Sequence, residues 1–464
     1  MTSRRTFVHI VLGLLPVAIG LAFVSGCDDA YDAEIMYPGR TDWLVEKAPT
    51  VQPTRYDPPG LLPLVSLDGD KNSFGPDQDL LRREREEKHT IWNPRELDPN
   101  VLRETTRVLR DLAGRPRMPK IDLNDLRFED TNKALSKELK LDRKTLAEGS
   151  KIYRTQCLHC HGLVGDGRGP TGPWVNPHPR DFRQGLFKFT STDPKVGKPR
   201  REDLRRTLMN GVEGTSMPSF ALLGAEQLEA LISYVIHLSI RGEAEYTVLI
   251  DLVKEAEQKE EPGAKIVDRV REAANNIGQR WLEAQKAGVQ PTEELAKKFE
   301  AMSKEQRLES AARGYEIFTR KELGGCVQCH VNLGRDAPFY YDPWATVVRP
   351  RNLTLTQLNL RGGRRPLDLY YRIRTGILGN FGLMPPLIAS DADLTAKATP
   401  LPTASTKEAP LAAEEIEKNK ALNDRWAKFG TKEEWIWDLV NFIQIAAFPE
   451  KRTELKDTHK IEID

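Results

Sequence analysis

Cysteine is scarce in this chain, and the scarcity is informative. Only five occur in 464 residues; four fall in two tight clusters and Cys27 stands alone, so no pair is left for a structural disulfide. An excess of either charge is also missing. Lys+Arg 69 against Asp+Glu 68 leaves a net charge of +1, which gives no argument for a nucleic-acid partner. With 39% hydrophobic and 30% charged residues, the composition describes soluble globular domains joined by polar linkers, about two or three at this length.

What is present is one short pattern written twice: CLHCH from Cys157 to His161 and CVQCH from Cys326 to His330. In each, two thiols stand where they meet the two vinyl groups of one haem, and the imidazole that follows reaches the iron; this is the c-type attachment signature. A zinc half-site or a redox disulfide uses the same residue types. Zinc wants four ligands in compatible spacing, however, and no other cysteine lies near either motif. Two covalently bound haem c groups are therefore expected, on Cys157 and Cys160 with His161 as iron ligand, and on Cys326 and Cys329 with His330. His159, between the first two thiols, is expected to point away from the iron.

The amino terminus reads as an address. Arg4 and Arg5 precede an apolar run from Phe7 to Val24, a basic and then a hydrophobic region as in an export signal. Val24-Ser25-Gly26-Cys27 resembles a bacterial lipobox, which implies lipidation of Cys27 and a periplasmic, membrane-anchored protein. An uncleaved helix is the alternative, since the run is close to the ~20 residues of a span. The stretch Ser3 to Phe7 also looks like a twin-arginine signal. Each reading places the rest of the chain on the exported side. Residues 28–141 are expected to be an extended tether with short helices; one helix is expected from about Asn100 to Leu112, stopped by Gly114, Pro116 and Pro119.

Around the first motif, Leu146, Gly149 and Tyr153 fall at helical spacing, and Leu228, Leu231, Ile232 and Val235 form a second apolar face with Tyr234 beside it. The stretch 142–242 resembles the cytochrome c family. That resemblance implies that the first and last helices cross through Gly149 and the aromatics. It implies that the Pro170 carbonyl accepts from His161, and that Met217, in GTSMPSF, is the sixth iron ligand. Met209, in a helical run, is expected to pack, and His178 is the alternative ligand. Arg180 and Arg183 are candidates for haem propionates, Arg183 equally for an exposed surface position.

The same features then recur, which reads as a duplicated domain. Gly314 and Phe318 precede the second motif, Pro338 follows it, Pro350-Arg351 echoes Pro179-Arg180, and Met384-Pro385 echoes Met217-Pro218. The expected fold is thus mainly α: a first cytochrome c-like domain over 142–242, a helical connector over 243–307, and a second domain over 308–448. That second domain carries an insertion at about 387–430, and a tail covers 449–464. His161 with Met217, and His330 with Met384, fill both axial positions of each iron, and a Met/His pair raises the potential relative to two imidazoles. The expected function is electron transfer by a membrane-tethered dihaem cytochrome c of a respiratory chain. It would run between a quinol-oxidising complex or dehydrogenase and an oxidase or reductase, as a free carrier or a complex subunit. The alternative is a peroxidase-like enzyme with one labile distal ligand.

Overall fold

The computed structural model describes residues 35–48, 90–175, 177–259, 264–344, 346–355, 363–377, 384–388, 390–405, 411–461 and 463. The export signal with Cys27, and the stretches 28–34 and 49–89 of the expected tether, lie outside the described residues. No helix among the described residues is long and apolar enough to cross a membrane.

The chain is mainly α. A two-residue strand β1 (Leu44–Val45) pairs antiparallel with β2 (Ile91–Trp92). The first long helix, α1 (Pro99–Ala113), starts where the Asp98 carboxylate accepts from the N–H of Asn100, and stops at Gly114, whose φ of 75° suits glycine. A small hairpin, β3 (Gly114–Arg115) with β4 (Met118–Pro119), leads to α2 (Glu129–Glu138), α3 (Arg143–Gln156) and the one-turn α4 (Leu158–His161). Next come α5 (Arg201–Asn210), α6 (Ala225–Gln258), α7 (Ile266–Lys286), α8 (Glu293–Glu300) and α9 (Lys304–Thr319). A last hairpin, β5 (Tyr340–Tyr341) with β6 (Val347–Val348), precedes α10 (Pro366–Thr375), α11 (Ala413–Trp426), α12 (Lys432–Ala446) and α13 (Pro449–His459).

Two hydrophobic cores organise these elements. The first gathers residues from Tyr37 to Trp281, the second residues from Phe299 to Ile463. Each is built on one helix crossing, α3 with α6 and α9 with α12. Gly149 lies against the Ala230 carbonyl and the Tyr234 side chain, and Gly314 lies against the Asp438 carbonyl and the Phe442 side chain. The glycines let the backbones approach where a larger residue would hold them apart.

The structure redraws three boundaries. The described part of the tether is a layer of the first core: Leu44, Trp92, Val108, Leu109 and Leu112 are buried in it, and the Tyr37 hydroxyl bonds that of Tyr234 at 2.8 Å. The closing helix of the first unit does not end near 242. Leu249, Ile250, Leu252 and Val253 continue its buried face, so α6 runs on for 34 residues, and α7 packs beside it in the same core. The expected insertion folds onto the second core through α11, whose Trp426 is buried with its indole N–H donating to Glu316 at 3.0 Å.

The two units meet along α5 and α10. The Arg206 guanidinium stands over the Tyr371 ring and 3.9 Å from the Asp368 carboxylate, and the Thr375 hydroxyl donates to the Thr190 carbonyl at 3.2 Å. A cavity of about 210 Å³ lies in this seam, lined by Thr207, Asn210, Arg365 and Tyr371 among others.

One buried group makes the first core pH-sensitive. His237, on α6, donates from Nε2 towards the carbonyls of Ala113 and Lys120 at 2.9 and 3.1 Å, and burial pushes its pKa down to about 4. Because the folded state refuses a proton that the unfolded chain accepts below its ordinary pKa of ~6.5, stability is lost as pH falls from there towards 4. Denaturant titrations at pH 7 and pH 5 are expected to differ by roughly 2 kcal/mol on this account, and His237→Gln, which keeps a donor but does not titrate, is expected to remove that difference.

Candidate haem-binding sites

Each Cys-x-x-Cys-His motif follows the first helix of its unit's crossing pair, α3 in the first unit and α9 in the second. Cys157 caps α3, with its N–H on the Tyr153 carbonyl at 2.8 Å, and the next turn, α4, carries His161. In the second unit Cys326 to Gln328 form a 3-10 turn, and the His330 N–H bonds the Cys326 carbonyl at 2.8 Å, as the His161 N–H bonds that of Cys157 at 2.8 Å. None of the four cysteines is in a disulfide. Burial pushes Cys157 up to about 12 and Cys326 up to about 11, so both remain neutral thiols near pH 7 and neither is poised as a thiolate nucleophile.

The histidines are held alike. His161 Nδ1 lies 3.1 Å from the Arg180 carbonyl, and His330 Nδ1 lies 3.0 Å from the Arg351 carbonyl. A carbonyl only accepts, so in both rings the proton is on Nδ1 and the Nε2 lone pair is left for a metal, as in an oriented imidazole ligand. Burial pushes His161 down to about 4 and lowers His330, which keeps both neutral. The expected acceptor Pro170 is thereby corrected, and Pro338 is likewise not the partner of His330. After His161 the glycine-rich loop closes on the motif itself: Gly167, Gly169 and Thr171 donate to the carbonyls of His161, Cys160 and His159. The chain returns later in extended form, pinned by Phe182 N–H on Gly165 O at 2.7 Å and, in the second unit, by Leu353 N–H on Leu333 O at 2.8 Å. That return delivers the carbonyl of Arg180 or Arg351.

The methionine loops also share one design. At the end of α5, Gly211 (φ 66°) packs on the backbone of Met217 to Ser219; at the end of α10, Gly376 (φ 72°) packs on that of Met384 to Pro386. Val212 N–H meets the Met217 carbonyl at 3.1 Å, and Ile377 N–H meets that of Met384 at 2.9 Å. Phe220 N–H returns to Leu208, and Leu387 N–H to Ile373. Met217 and Met384 are half-buried against their respective cores. Met209 is instead 37% exposed, His178 Nδ1 lies 3.2 Å from the Pro179 carbonyl, and His159 is exposed.

The arginines divide. Arg183 is buried and bidentate to Asp42, at 2.8 and 3.0 Å, and to Asp181, at 2.7 and 3.0 Å, so it is neither a surface residue nor available to a haem. Burial pushes Asp42 up, but the guanidiniums of Arg183, Arg40 and Arg168 prevail and hold its carboxyl well below the usual range. Arg180 and Arg351 form no ion pair among the described residues, and burial lowers the pKa of each. Desolvated guanidiniums, with no ion-pair contact for Arg351 and only the more distant charges of Asp342 and Asp181 acting on Arg180, fit a haem with its two propionates beside imidazoles with open Nε2 positions and paired thiols. Cys157, Cys160, His161, Arg180 and Met217 would hold one such group; Cys326, Cys329, His330, Arg351 and Met384 repeat the set.

Residues 144–235 match the family model described as cytochrome C oxidase, cbb3-type, subunit III. No curated protein matches the chain. Among solved structures, a chain of the reducing HAO-like protein complex of Kuenenia stuttgartiensis is similar at 21% identity and a TM-score of 0.36, over 65% of this chain and 96% of that one. The segment 144–235 is thus similar to a c-type cytochrome domain, a kind of domain that binds haem c covalently.

Proposed function

We propose that the chain is a dihaem electron-transfer cytochrome, with one haem c in each unit, anchored through Cys27 on the periplasmic face of a bacterial membrane. The observation that carries this reading is the repetition, bond for bond, of one constellation. In both units the histidine of the motif is oriented by a backbone carbonyl, and a methionine loop is tied to the helix before it. Haem supplies a reversible one-electron couple. The chain's own part would be to supply two ligands to each iron, His161 with Met217 and His330 with Met384, which would keep substrate from the iron and limit rearrangement between oxidation states. The direct seam between α5 and α10 supports internal transfer from one unit to the other, and the match of 144–235 to an oxidase subunit model supports a relay among redox proteins.

The test is a visible spectrum of the fully reduced protein before and after carbon monoxide. No change is expected. A shift of one haem's bands would overturn closed coordination at Met217 or Met384 and turn attention to peroxide reduction.

A further inference from the structure

The β5–β6 hairpin of the second unit reaches from one site to the other. At its base Tyr340 stands near Cys329 of the second motif, close enough for the two groups to interact electrostatically. At its tip the buried Asp342 carboxylate accepts from the N–H groups of Trp344 and Thr346 at 3.0 and 3.1 Å, while Asp342 N–H donates to the Thr346 carbonyl at 2.9 Å, which fixes the turn. The turn presents Trp344 to the first unit. There its ring meets the Arg180 guanidinium, with Cζ 3.9 Å from the ring centroid.

Arg180 is the residue whose carbonyl orients His161. Stacking occupies the flat face of its guanidinium and leaves the in-plane N–H edge for an anion. Beside it, the Trp344 Nε1–H is buried and meets no acceptor among the described residues. A buried donor left so is costly and ordinarily has a partner. Two donors, one from each unit, therefore lie side by side, and the described chain supplies no acceptor for either.

We propose that Trp344 of the second unit completes the haem site of the first by sharing a haem propionate with Arg180. The proposal rests on the haem at Cys157 to His161 and does not require the second haem. The chain contains its own control: Pro173-Trp174 stands in the first unit where Pro343-Trp344 stands in the second, yet Trp174 is 76% exposed.

The experiment measures reduction potentials and haem content of the full-length holoprotein carrying Trp344→Leu, Trp344→Phe, Arg180→Lys or Trp174→Leu. Loss of the donors leaves the propionate charge less compensated and favours the oxidised form. Trp344→Leu is expected to shift one haem about tenfold that way, or about 59 mV for one electron. Trp344→Phe, which keeps the ring but not the N–H, is expected to move the same haem less, and Arg180→Lys to move it too. Trp174→Leu is expected to move none. Unchanged potentials in both Trp344 variants would overturn the proposal, as would an equal shift in Trp174→Leu. If Trp344→Leu does not fold, Trp344→Phe decides. A count of one haem per chain, with the Trp344 shift intact, would overturn the dihaem reading and support the shared site.

Discussion

Gly149→Ala is expected to destabilise the first unit, and Gly314→Ala the second, each by ~1–3 kcal/mol and towards the upper end of that range. In an ordinary helix interior the same change stabilises, by up to about 1 kcal/mol. Here the added methyl runs into backbone: the Ala230 carbonyl and Tyr234 Cβ for Gly149, the Asp438 carbonyl and Phe442 Cβ for Gly314. A side chain turns aside; a carbonyl within a helix does not. The helices must separate, and every apolar contact along α3 with α6, or α9 with α12, weakens with them. Since ~1 kcal/mol moves the melting temperature of a unit of this size by about 2–4 °C, a drop of several degrees is expected in thermal unfolding. A variant melting at or above the parent temperature would contradict the crossing.

Removing both thiols of the second site, Cys326→Ala with Cys329→Ala, is expected to lower covalent haem from two per chain to one. The thiols are the only attachment points there, and neither has a disulfide role to complicate the change. The first site is expected to keep its haem, because Cys157 and its neighbours Leu158 and Leu163 belong to a different core from Phe318, Leu333 and Leu353 of the second unit. Thermal unfolding is expected to show the second unit weakened and the first close to its parent value. Haem content is read from the pyridine haemochrome. A variant that retains two haems, or one that loses both, would contradict independent sites.

Much of this was legible because the chemistry is local. The attachment motifs and the helix Pro99–Ala113 follow from residues within a few turns of one another, whereas the crossing at Gly149 came from the family resemblance. The Met217 loop was read from a methionine flanked by glycine and proline ahead of the last helix, where the resembled family carries its distal methionine, and the Met384 loop from the internal repeat. What escaped depends on the chain's return. The Arg180 carbonyl reaches His161 only because the intervening glycine-rich loop closes on its own motif, which the resemblance that pointed to Pro170 did not reveal. Arg183 looked like a surface or propionate residue because Asp42, its partner, lies 141 positions away. Trp344 was not singled out at all, since its stack on Arg180 joins two units and leaves no periodic trace. The length of α6 was the one local miss: Leu249, Ile250, Leu252 and Val253 continue its pattern past the expected boundary.

The most direct test of two covalent haems in one chain is the intact mass of the purified protein, set beside its iron content. The expected result is the mature chain plus two haems, with two irons, and loss of one haem increment in the Cys326→Ala, Cys329→Ala variant. A chain that carries a single haem, confined to Cys157–Cys160, would contradict it.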